Sequence, residues 1–558
     1  MSSQLLSEVF TTWAHLNGIL FDGIRLEHVG QSKGFGFLTT ESDSLIREMP
    51  FCPVSVIRVP TDLMLCVGTV NDYAKVDQNF KQLLAKTRPR TTRDIVMMYL
   101  FAHLAQSRRA GGLTPTPWTE YIRMLPRSVG IPTMWTEAER ALLYGTSLEV
   151  SSFSFCHTVG DSASSIPLLP KKIDGHAEEK RANGIFISRC VLARPNEEVV
   201  DSLKKLNIAE KLSTLAKEFD HVRQQSATLP FWNNILWQKN ELNLDDWVLV
   251  DAWFRSRSMR IQEVGDAMVP AIDMVNHSDQ PAAYYDQALI NEIELILHSE
   301  AIDWPPGVEI TISYGDHKPP SEMLFNYGFI DPKTTFDSMA LRLYPFADDP
   351  LGKAKLHTSP SPPFFVIGQV KANPDELLVS QVEWLSPWIY LVCLNEEDGL
   401  GFRILEDVQG RQQLRVLWQE EDITEDVDKL EVFANRHPLC DVFKLRAATV
   451  VQQKILSQLA RLNRGPPEQQ LRATSQAAGS PEPERAAAAE QLKAIERRLM
   501  EGALITLDKE REALLQKESV VAYLNAARAP ATAAAPQAAP PVPAAPGEEQ
   551  EEQEDDFS

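Results

Sequence analysis

Three clusters of residue types in this sequence could perform chemistry. They are KGFGF at Lys33–Phe37, RSRSM at Arg255–Met259 and DMVNHS at Asp273–Ser278, the last followed downstream by ISYGD around Tyr314 and NYGF around Tyr327. Glycine lets a backbone approach a ligand closely, and arginine can hold a carboxylate with its forked cation. Each pattern is weak alone, so the functional hypothesis depends on their order and co-occurrence.

Each cluster also has an ordinary structural interpretation. Lys33–Phe37 lacks the full dinucleotide fingerprint and lies in a hairpin rather than at a strand-to-helix crossover, so a Rossmann site is not predicted. Arg257 could merely compensate a helix C-terminus, and His277 could be a satisfied core histidine. Tyr314 and Tyr327 could be core aromatic residues with bonded hydroxyls.

The elements that must position these clusters change type along the chain. Short β-rich runs with glycines from about Gly18 to Val59 predict a hairpin with tight turns. Helical periodicity follows from about Asp72 to Arg260, and the residues from Asn79 onward to Arg109 are read as one long apolar stripe.

The second half of this region and the segment after it contain the remaining clusters. The run from Asn243 is apolar on nearly every side through Phe254, which predicts a buried helix. Between Val308 and Tyr314 alternate residues fall on one face of a strand, which puts the Tyr314 hydroxyl inside. Ser321 is expected to cap a short helix that Gly328 ends.

In this order the motifs resemble the SET-domain methyltransferases, in the branch of the Rubisco large-subunit lysine methyltransferase and the fungal ribosomal-protein and elongation-factor lysine methyltransferases. The resemblance covers about residues 10–335 and implies an α+β fold. In that fold a SET-domain β-fold is split by a helical insertion at about 72–260, and an all-α substrate-binding domain follows at 345–525. The matching motifs are PWTEYIRMLP, TMWTEAERALLYGTSL, LPFW, SRS, VPAIDMVNHS, GVEITISYGD and EMLFNYGF.

Two segments depart from this domain plan. After GTSLEV about sixty residues intervene before the helix KLSTLAKEFDHVR, so residues 151–208 are interpreted either as a disordered insertion or as a gene-model error such as retained intron sequence. Residues 526–558 are predicted to be a disordered Ala/Pro linker with an acidic tail.

The resemblance implies methyl transfer from S-adenosylmethionine, without a metal, to a lysine ε-amine that must first lose its proton, since its reference pKa is about 10.4. Tyr314 takes the position of the catalytic tyrosine. Lys33 departs from the polar or acidic residue common in the family, and Met259 stands where the Rubisco enzyme has phenylalanine. The resemblance assigns cofactor binding to Lys33, Gly34, Phe35, Arg257, Asn276, His277, Tyr327 and Phe329, and places Ser256, Met259 and Asp273 near the substrate channel.

Composition restricts the partners. The 558 residues include 55 Lys and Arg against 77 Asp and Glu, for a formal net charge of −22. Such a surface does not suit a protein that binds nucleic acid through its phosphates, and it favours a basic protein partner. With 44% hydrophobic and 24% charged residues, the chain is neither wholly disordered nor fibrous.

The cysteines and the N-terminus predict the compartment. The six cysteines form no C-x-x-C pair, so neither a thiolate zinc site nor a disulfide framework is predicted. The sequence shows no secretory signal and no run of about 20 uninterrupted apolar residues. We therefore expect the protein in the cytoplasm and/or nucleus, without membrane contact, and we expect it to be a monomer. The cysteines are Cys52, Cys66, Cys156, Cys190, Cys393 and Cys440.

The leading hypothesis is a protein-lysine N-methyltransferase that acts on a non-histone protein, a ribosomal protein or a translation elongation factor. One alternative is a protein-histidine N-methyltransferase of the same fold, because the sequence pattern does not distinguish the two acceptors. Another is a catalytically inactive SET-fold binding protein, which the retention of Arg257, Asn276, His277 and Tyr314 disfavours. Histone methylation is disfavoured because no cysteine-rich segment follows Tyr327.

Overall fold

The computed structural model covers most of the chain between its termini. The expected insertion at 151–208 lies outside the described residues except for its last two positions, and the expected tail lies outside them from residue 529 onward. The described residues are 3–30, 33–40, 54–109, 112–149, 207–287, 291–301, 304–315, 318–332, 336–346, 348–358, 363–370, 382–406, 412–467 and 481–528.

Strands from both sides of a long helical region pair to form two four-stranded sheets. The pairing across this region confirms the predicted β-fold split by a helical insertion. The predicted glycine hairpin is also confirmed, as an antiparallel pair. One sheet has the order β1 (Leu20–Phe21), β4 (Ser55–Pro60), β9 (Glu292–Leu297) and β8 (Ala283–Gln287), and the other has the order β2 (Ile24–Gly30), β3 (Gly34–Thr39), β10 (Glu309–Ile312) and β7 (Asn276–His277).

Several helices of the region between these strands begin at polar N-cap residues. Asp77, Thr91 and Asn243 each accept a hydrogen bond from a backbone N–H in the first turn of the helix that follows. Helix α1 (Ser3–Leu16) precedes the sheets. The helices of the insertion are α2 (Val67–Val76), α3 (Gln78–Thr87), α4 (Thr92–Arg108), α5 (Pro117–Met124), α6 (Glu137–Ala141), α7 (Ile208–Ala227), α8 (Pro230–Trp232) and α9 (Leu244–Arg257).

The segment that the sequence presents as one apolar stripe forms two helices, α3 and α4, and α4 ends in a basic residue, as the pattern predicted. The backbone of Arg88 adopts a left-handed conformation with φ 50°, which ends α3. Pro89 then follows and disfavours a helical conformation of the residue before it.

Helix α9 is the predicted buried helix, and the structure confirms it. All residues from Asp246 to Phe254 are buried. The buried Asp251 carboxylate is held by cations from three helices: Arg93 Nη2 at 2.7 Å, Lys211 Nζ at 2.9 Å and Arg255 Nε at 2.8 Å. A buried charge is tolerated when it is paired in this way.

The helix that carries Tyr327 begins one residue earlier than the predicted cap. It runs over Pro320–Tyr327 (α10), and Ser321 lies in its first turn without capping it, so the predicted cap is wrong. The reason is that proline is already constrained to a helical φ at this position. Gly328 ends the helix with φ 86°, as predicted, and a Cβ there would lie 2.7 Å from the backbone of Gly130.

The C-terminal region contains the expected helices but is not wholly helical, which corrects the all-α description. Two three-stranded antiparallel sheets accompany the helices. The segment FFVIGQV is rich in aromatic and β-branched residues, which suit a strand. The elements are β11 (Phe336–Arg342), β12 (Phe364–Val370), β13 (Glu383–Leu385), β14 (Leu400–Glu406), β15 (Gln412–Trp418), β16 (Glu421–Asp422), α11 (Gly352–Thr358), α12 (Ile389–Cys393), α13 (Leu430–Asn435), α14 (Cys440–Arg464), α15 (Pro483–Leu515) and α16 (Glu518–Arg528).

Two large hydrophobic clusters and one small cluster form the interior of the described part of the chain, and the small cluster packs Val520 and Tyr523 of α16 against Val442 of α14. The largest cluster lies under the two four-stranded sheets and the insertion helices and includes Phe37 and Trp253. The second large cluster joins the C-terminal elements to Trp135, Leu143 and Phe325 of the region that precedes them. Helix α16 extends to Arg528, so the first three residues of the predicted linker are helical. No helix in the described ranges combines the length and apolar character that crossing a bilayer requires.

Candidate active site

Strand β10 brings the sequence clusters together. It pairs antiparallel with β3 of the glycine hairpin on one side and parallel with β7 on the other. The register places Asn276 opposite Thr311 and Ile310 opposite Phe37. The KGFGF and NHS segments are therefore neighbours across a single strand.

Tyr314 follows β10, and hydrogen bonds from both its backbone and its side chain hold it to the segment Val275–His277. Its backbone N–H donates to Nδ1 of His277 at 3.1 Å, and its hydroxyl donates to the carbonyl of Val275 at 2.9 Å. The ring is partly buried against the main core, which agrees with the predicted inward orientation although the strand itself ends at Ile312. The tyrosine is thus held in one orientation.

Four rings form an aromatic cluster at this point. The ring centroids of Tyr314 and Tyr327 lie 4.6 Å apart, and those of His277 and Tyr314 lie 5.2 Å apart. Phe329 lies 6.0 Å from His277 and 6.4 Å from Tyr314. Such a cluster can pack against a flat aromatic group of a ligand.

The protonation states of these groups follow from their burial. Burial raises the pKa of both Tyr314 and Tyr327 far above the ordinary value, although Arg257 opposes the rise at Tyr314. Both phenols are therefore protonated at neutral pH. Burial lowers the pKa of His277, and because its Nδ1 accepts from Tyr314 N–H, the imidazole carries its proton on Nε2.

A second network surrounds Arg257. Its Nη1 donates to the backbone carbonyl of Asp273 at 3.1 Å and lies 3.5 Å from the carboxylate Oδ2. The other carboxylate oxygen accepts from the Tyr121 hydroxyl at 2.5 Å. Arg257 Nε is buried and has no hydrogen-bond partner within the described part of the chain, so it is a donor that an anionic ligand group could use.

Backbone strain accompanies this network. Ala271, which is fully buried, adopts φ 72° and ψ −51°, a conformation that is unfavourable for a residue with a Cβ. It precedes the 3₁₀ turn Ile272–Met274 that carries Asp273. Strain of this kind persists where the surrounding packing imposes it, and it clusters at functional sites.

The three residues expected near the substrate channel have different surroundings in the structure. The Ser256 hydroxyl donates to the carbonyl of Ala252 in its own helix at 2.7 Å. Met259 lies in β5 (Ser258–Ile261), which pairs with β6 (Gly265–Met268), and is partly buried against the core. The Asp273 side chain is fully buried beside Arg257, and burial raises its pKa against the pull of that cation. Its carboxylate and its backbone carbonyl both face the Arg257 guanidinium.

Sequence reasoning missed two residues of the site. Glu309 accepts hydrogen bonds from both Asn276 and Lys33, and Tyr121 holds Asp273. The strand pattern placed Glu309 on the face away from the core, which concealed its contacts. Among the described residues, no group of three or more His, Cys, Asp or Glu side chains is arranged to hold a metal ion.

Comparison with known proteins identifies the fold. No family model matches the chain. A relative, SET domain-containing protein 8 of Schizosaccharomyces pombe (strain 972 / ATCC 24843), is 24% identical over 405 residues, which cover 71% of this chain and 75% of the yeast protein.

Solved structures support the same fold. The structure of the SET domain of LSMT bound to lysine and AdoHcy is 16% identical, with a TM-score of 0.56 and coverage of 93% of this chain and 94% of its own. Rubisco LSMT bound to AdoMet is also 16% identical, with a TM-score of 0.53 and coverage of 92% and 94%. The predicted SET-domain fold of the LSMT type is thereby confirmed.

Proposed function

We propose that this SET-fold chain is an S-adenosylmethionine-dependent protein-lysine N-methyltransferase that acts on a non-histone protein. One observation supports this function above the others: a protonated tyrosine, Tyr314, is fixed between His277 and the Val275 carbonyl beside the aromatic cluster. The chain shares its fold with solved structures that are bound to AdoMet or to lysine and AdoHcy.

The residues present fit S-adenosylmethionine. Arg257 Nε offers a buried donor to the carboxylate, Tyr327 and Phe329 offer rings to the adenine, and the backbone of Gly34 and Phe35 offers a closely approachable edge. When bound, S-adenosylmethionine supplies an electrophilic methyl group. The protein's part is to hold donor and acceptor in line, which is the main source of acceleration in such a reaction.

Tyr314 would orient the acceptor amine. Its hydroxyl hydrogen is already engaged by the Val275 carbonyl, so the oxygen lone pairs remain to accept a hydrogen bond from an amine N–H. Accepting an N–H from the amine leaves the amine's own lone pair free for attack. Burial of the acceptor beside Tyr314 would also favour the neutral amine, because desolvation disfavours the charged form of lysine.

The choice of a ribosomal protein or translation elongation factor as substrate rests on charge and on the resemblance. The net charge of −22 favours lysine-rich partners, and the two cysteines that follow Tyr327, Cys393 and Cys440, are too few for a cysteine-rich zinc segment of the histone-type enzymes. We place the monomeric enzyme in the cytoplasm and/or nucleus, where such substrates occur.

Labelling of a cell lysate tests this function. Purified protein is incubated with radiolabelled S-adenosylmethionine and a lysate of cells that lack the endogenous enzyme, and labelled proteins are identified by mass spectrometry. Tyr314→Phe should abolish labelling, while Tyr284→Phe, an exposed tyrosine on β8, should retain it. A wild-type protein that binds no S-adenosylmethionine and labels nothing would support the inactive binding protein instead.

A further inference from the structure

We propose that Glu309 is a positioning residue that fixes the side-chain amide of Asn276 and, together with Lys33, fastens the glycine hairpin to strand β7. The inference rests on the proposed function, because S-adenosylmethionine and its product are the ligands whose binding it concerns. It also changes the role of Lys33 from ligand contact to support of Glu309.

The Glu309 carboxylate joins two segments that are distant in the sequence. Oε1 accepts a hydrogen bond from Asn276 Nδ2 at 2.8 Å, and Oε2 accepts one from Lys33 Nζ at 2.6 Å. The Glu309 side chain is 18% exposed, whereas that of Lys33 is 51% exposed. Partial burial of the carboxylate makes it less screened by salt than a surface ion pair.

These contacts leave one orientation for the Asn276 amide. Nδ2 donates to Glu309 and also to the carbonyl of Phe35 at 3.1 Å, and both partners are acceptors only. A flipped amide would set oxygen against oxygen at both contacts. Oδ1 therefore faces away from Glu309, and within the described ranges it accepts no hydrogen bond. An oxygen acceptor held in this way suits an ammonium group of a ligand.

Gly36 shows how closely these groups pack. A Cβ at this position would lie 2.9 Å from Asn276 Nδ2 and 3.0 Å from Glu309 Oε1. The first distance is shorter than real Cβ contacts and the second is tighter than most of them, so an alanine at this position would displace the Asn276 amide and the Glu309 carboxylate from each other. The second glycine of the KGFGF cluster is thereby explained by the Asn276–Glu309 contact rather than by the turn.

Lys33 supplies the charge that Glu309 requires. The family often has a polar or acidic residue here, and an acidic one would place two carboxylates against each other. The lysine instead neutralises Glu309 while leaving the carboxylate free to accept from Asn276. This departure from the family pattern is therefore compatible with the same Asn276 orientation.

Calorimetric titration with S-adenosylhomocysteine tests the proposal on the full-length protein. Glu309→Gln can present a donor to Asn276, so the Asn276 amide is no longer held in one orientation. The Kd for S-adenosylhomocysteine should therefore rise by about tenfold or more. Glu309→Asp, which stays an acceptor, should recover part of the affinity. Lys33→Gln should have a smaller effect, and Lys75→Gln, which removes an exposed ion pair on α2, should have none.

Different effects of the variant on KM and on kcat distinguish a positioning role of Glu309 from general structural support. The KM for S-adenosylmethionine should rise with Kd in Glu309→Gln while kcat and the melting temperature stay near wild type. An unchanged Kd in Glu309→Gln would overturn the proposal, as would a loss of melting temperature that accounts for the whole effect.

Hydrogen exchange tests the role of Glu309 separately from the proposed methyltransferase function. Should the wild type bind no S-adenosylhomocysteine, the methyltransferase function fails, but amide exchange in β3 can still be compared between wild type and Glu309→Gln. Faster exchange over Gly34–Thr39 in the variant would support the fastening of the hairpin, and identical exchange would contradict it.

Discussion

Glu496 is a buried carboxyl group at the junction between the C-terminal helices and the helical insertion. It projects from α15, is 1% exposed, and accepts hydrogen bonds from the backbone N–H of Ser147 at 2.9 and 3.2 Å and from the Ser147 hydroxyl. Burial raises the pKa of Glu496 from 4.5 to about 7, although the Ser147 bonds oppose the rise.

The sign of the pH effect follows from this shift. Between pH 4.5 and 7 the folded protein holds a proton on Glu496 that the unfolded chain has lost, so the free energy of unfolding falls as the pH rises through this window. A rise of about 2.5 pH units at about 1.4 kcal/mol per unit amounts to about 3 kcal/mol of lost stability above pH 7. Glu496→Gln carries no such penalty and keeps an acceptor for the Ser147 N–H.

Urea unfolding at several pH values measures this difference. We expect Glu496→Gln to match the wild type near pH 4.5 and to exceed its free energy of unfolding by up to about 3 kcal/mol at pH 8. Glu490→Gln, an exposed position on the same helix, should show no such divergence. If the difference between wild type and Glu496→Gln is the same at pH 5 and pH 8, the reasoning about burial is wrong.

Three further changes have defined outcomes. Asp251→Asn removes the shared counter-ion of three cations and should cost about 3 kcal/mol or more in urea unfolding. Gly145→Ala, at φ 80° and with a Cβ that would overlap the backbone of Leu462, should lower stability by about 2 kcal/mol or more, whereas Gly352→Ala should be tolerated. Gly36→Ala should weaken S-adenosylhomocysteine binding in a calorimetric titration without unfolding the protein.

Local patterns in the sequence predicted the elements that depend on local physics. The hairpin around Gly34, the buried helix from Asn243 and the end of α10 at Gly328 each follow from periodicity or from the conformational freedom of glycine. The fold itself came from the order of motifs, which resembles a known family. Periodicity alone did not separate α3 from α4, because the apolar pattern of the sequence continues past Arg88, where the backbone becomes left-handed and ends α3.

Long-range contacts were beyond the reach of those patterns. The Lys33–Glu309 bond spans 276 positions and the Tyr121–Asp273 bond spans 152, so neither partner carries a local signal of the other. The contact between Asp273 and Arg257 was likewise absent from the sequence prediction. The C-terminal strands were missed for a different reason: the segment FFVIGQV of β12 carries a local strand pattern, but the resemblance implied an all-α domain there.

The identity of the methylated residue tests the central claim most directly. Radiolabelled protein from the lysate experiment is hydrolysed to amino acids, and the label is assigned by chromatography. We predict that the label is in ε-N-methylated lysine and that it is absent when Tyr314→Phe replaces the wild type. Label in methyl-histidine would select the histidine methyltransferase, and equal labelling by Tyr314→Phe would contradict the assigned role of Tyr314.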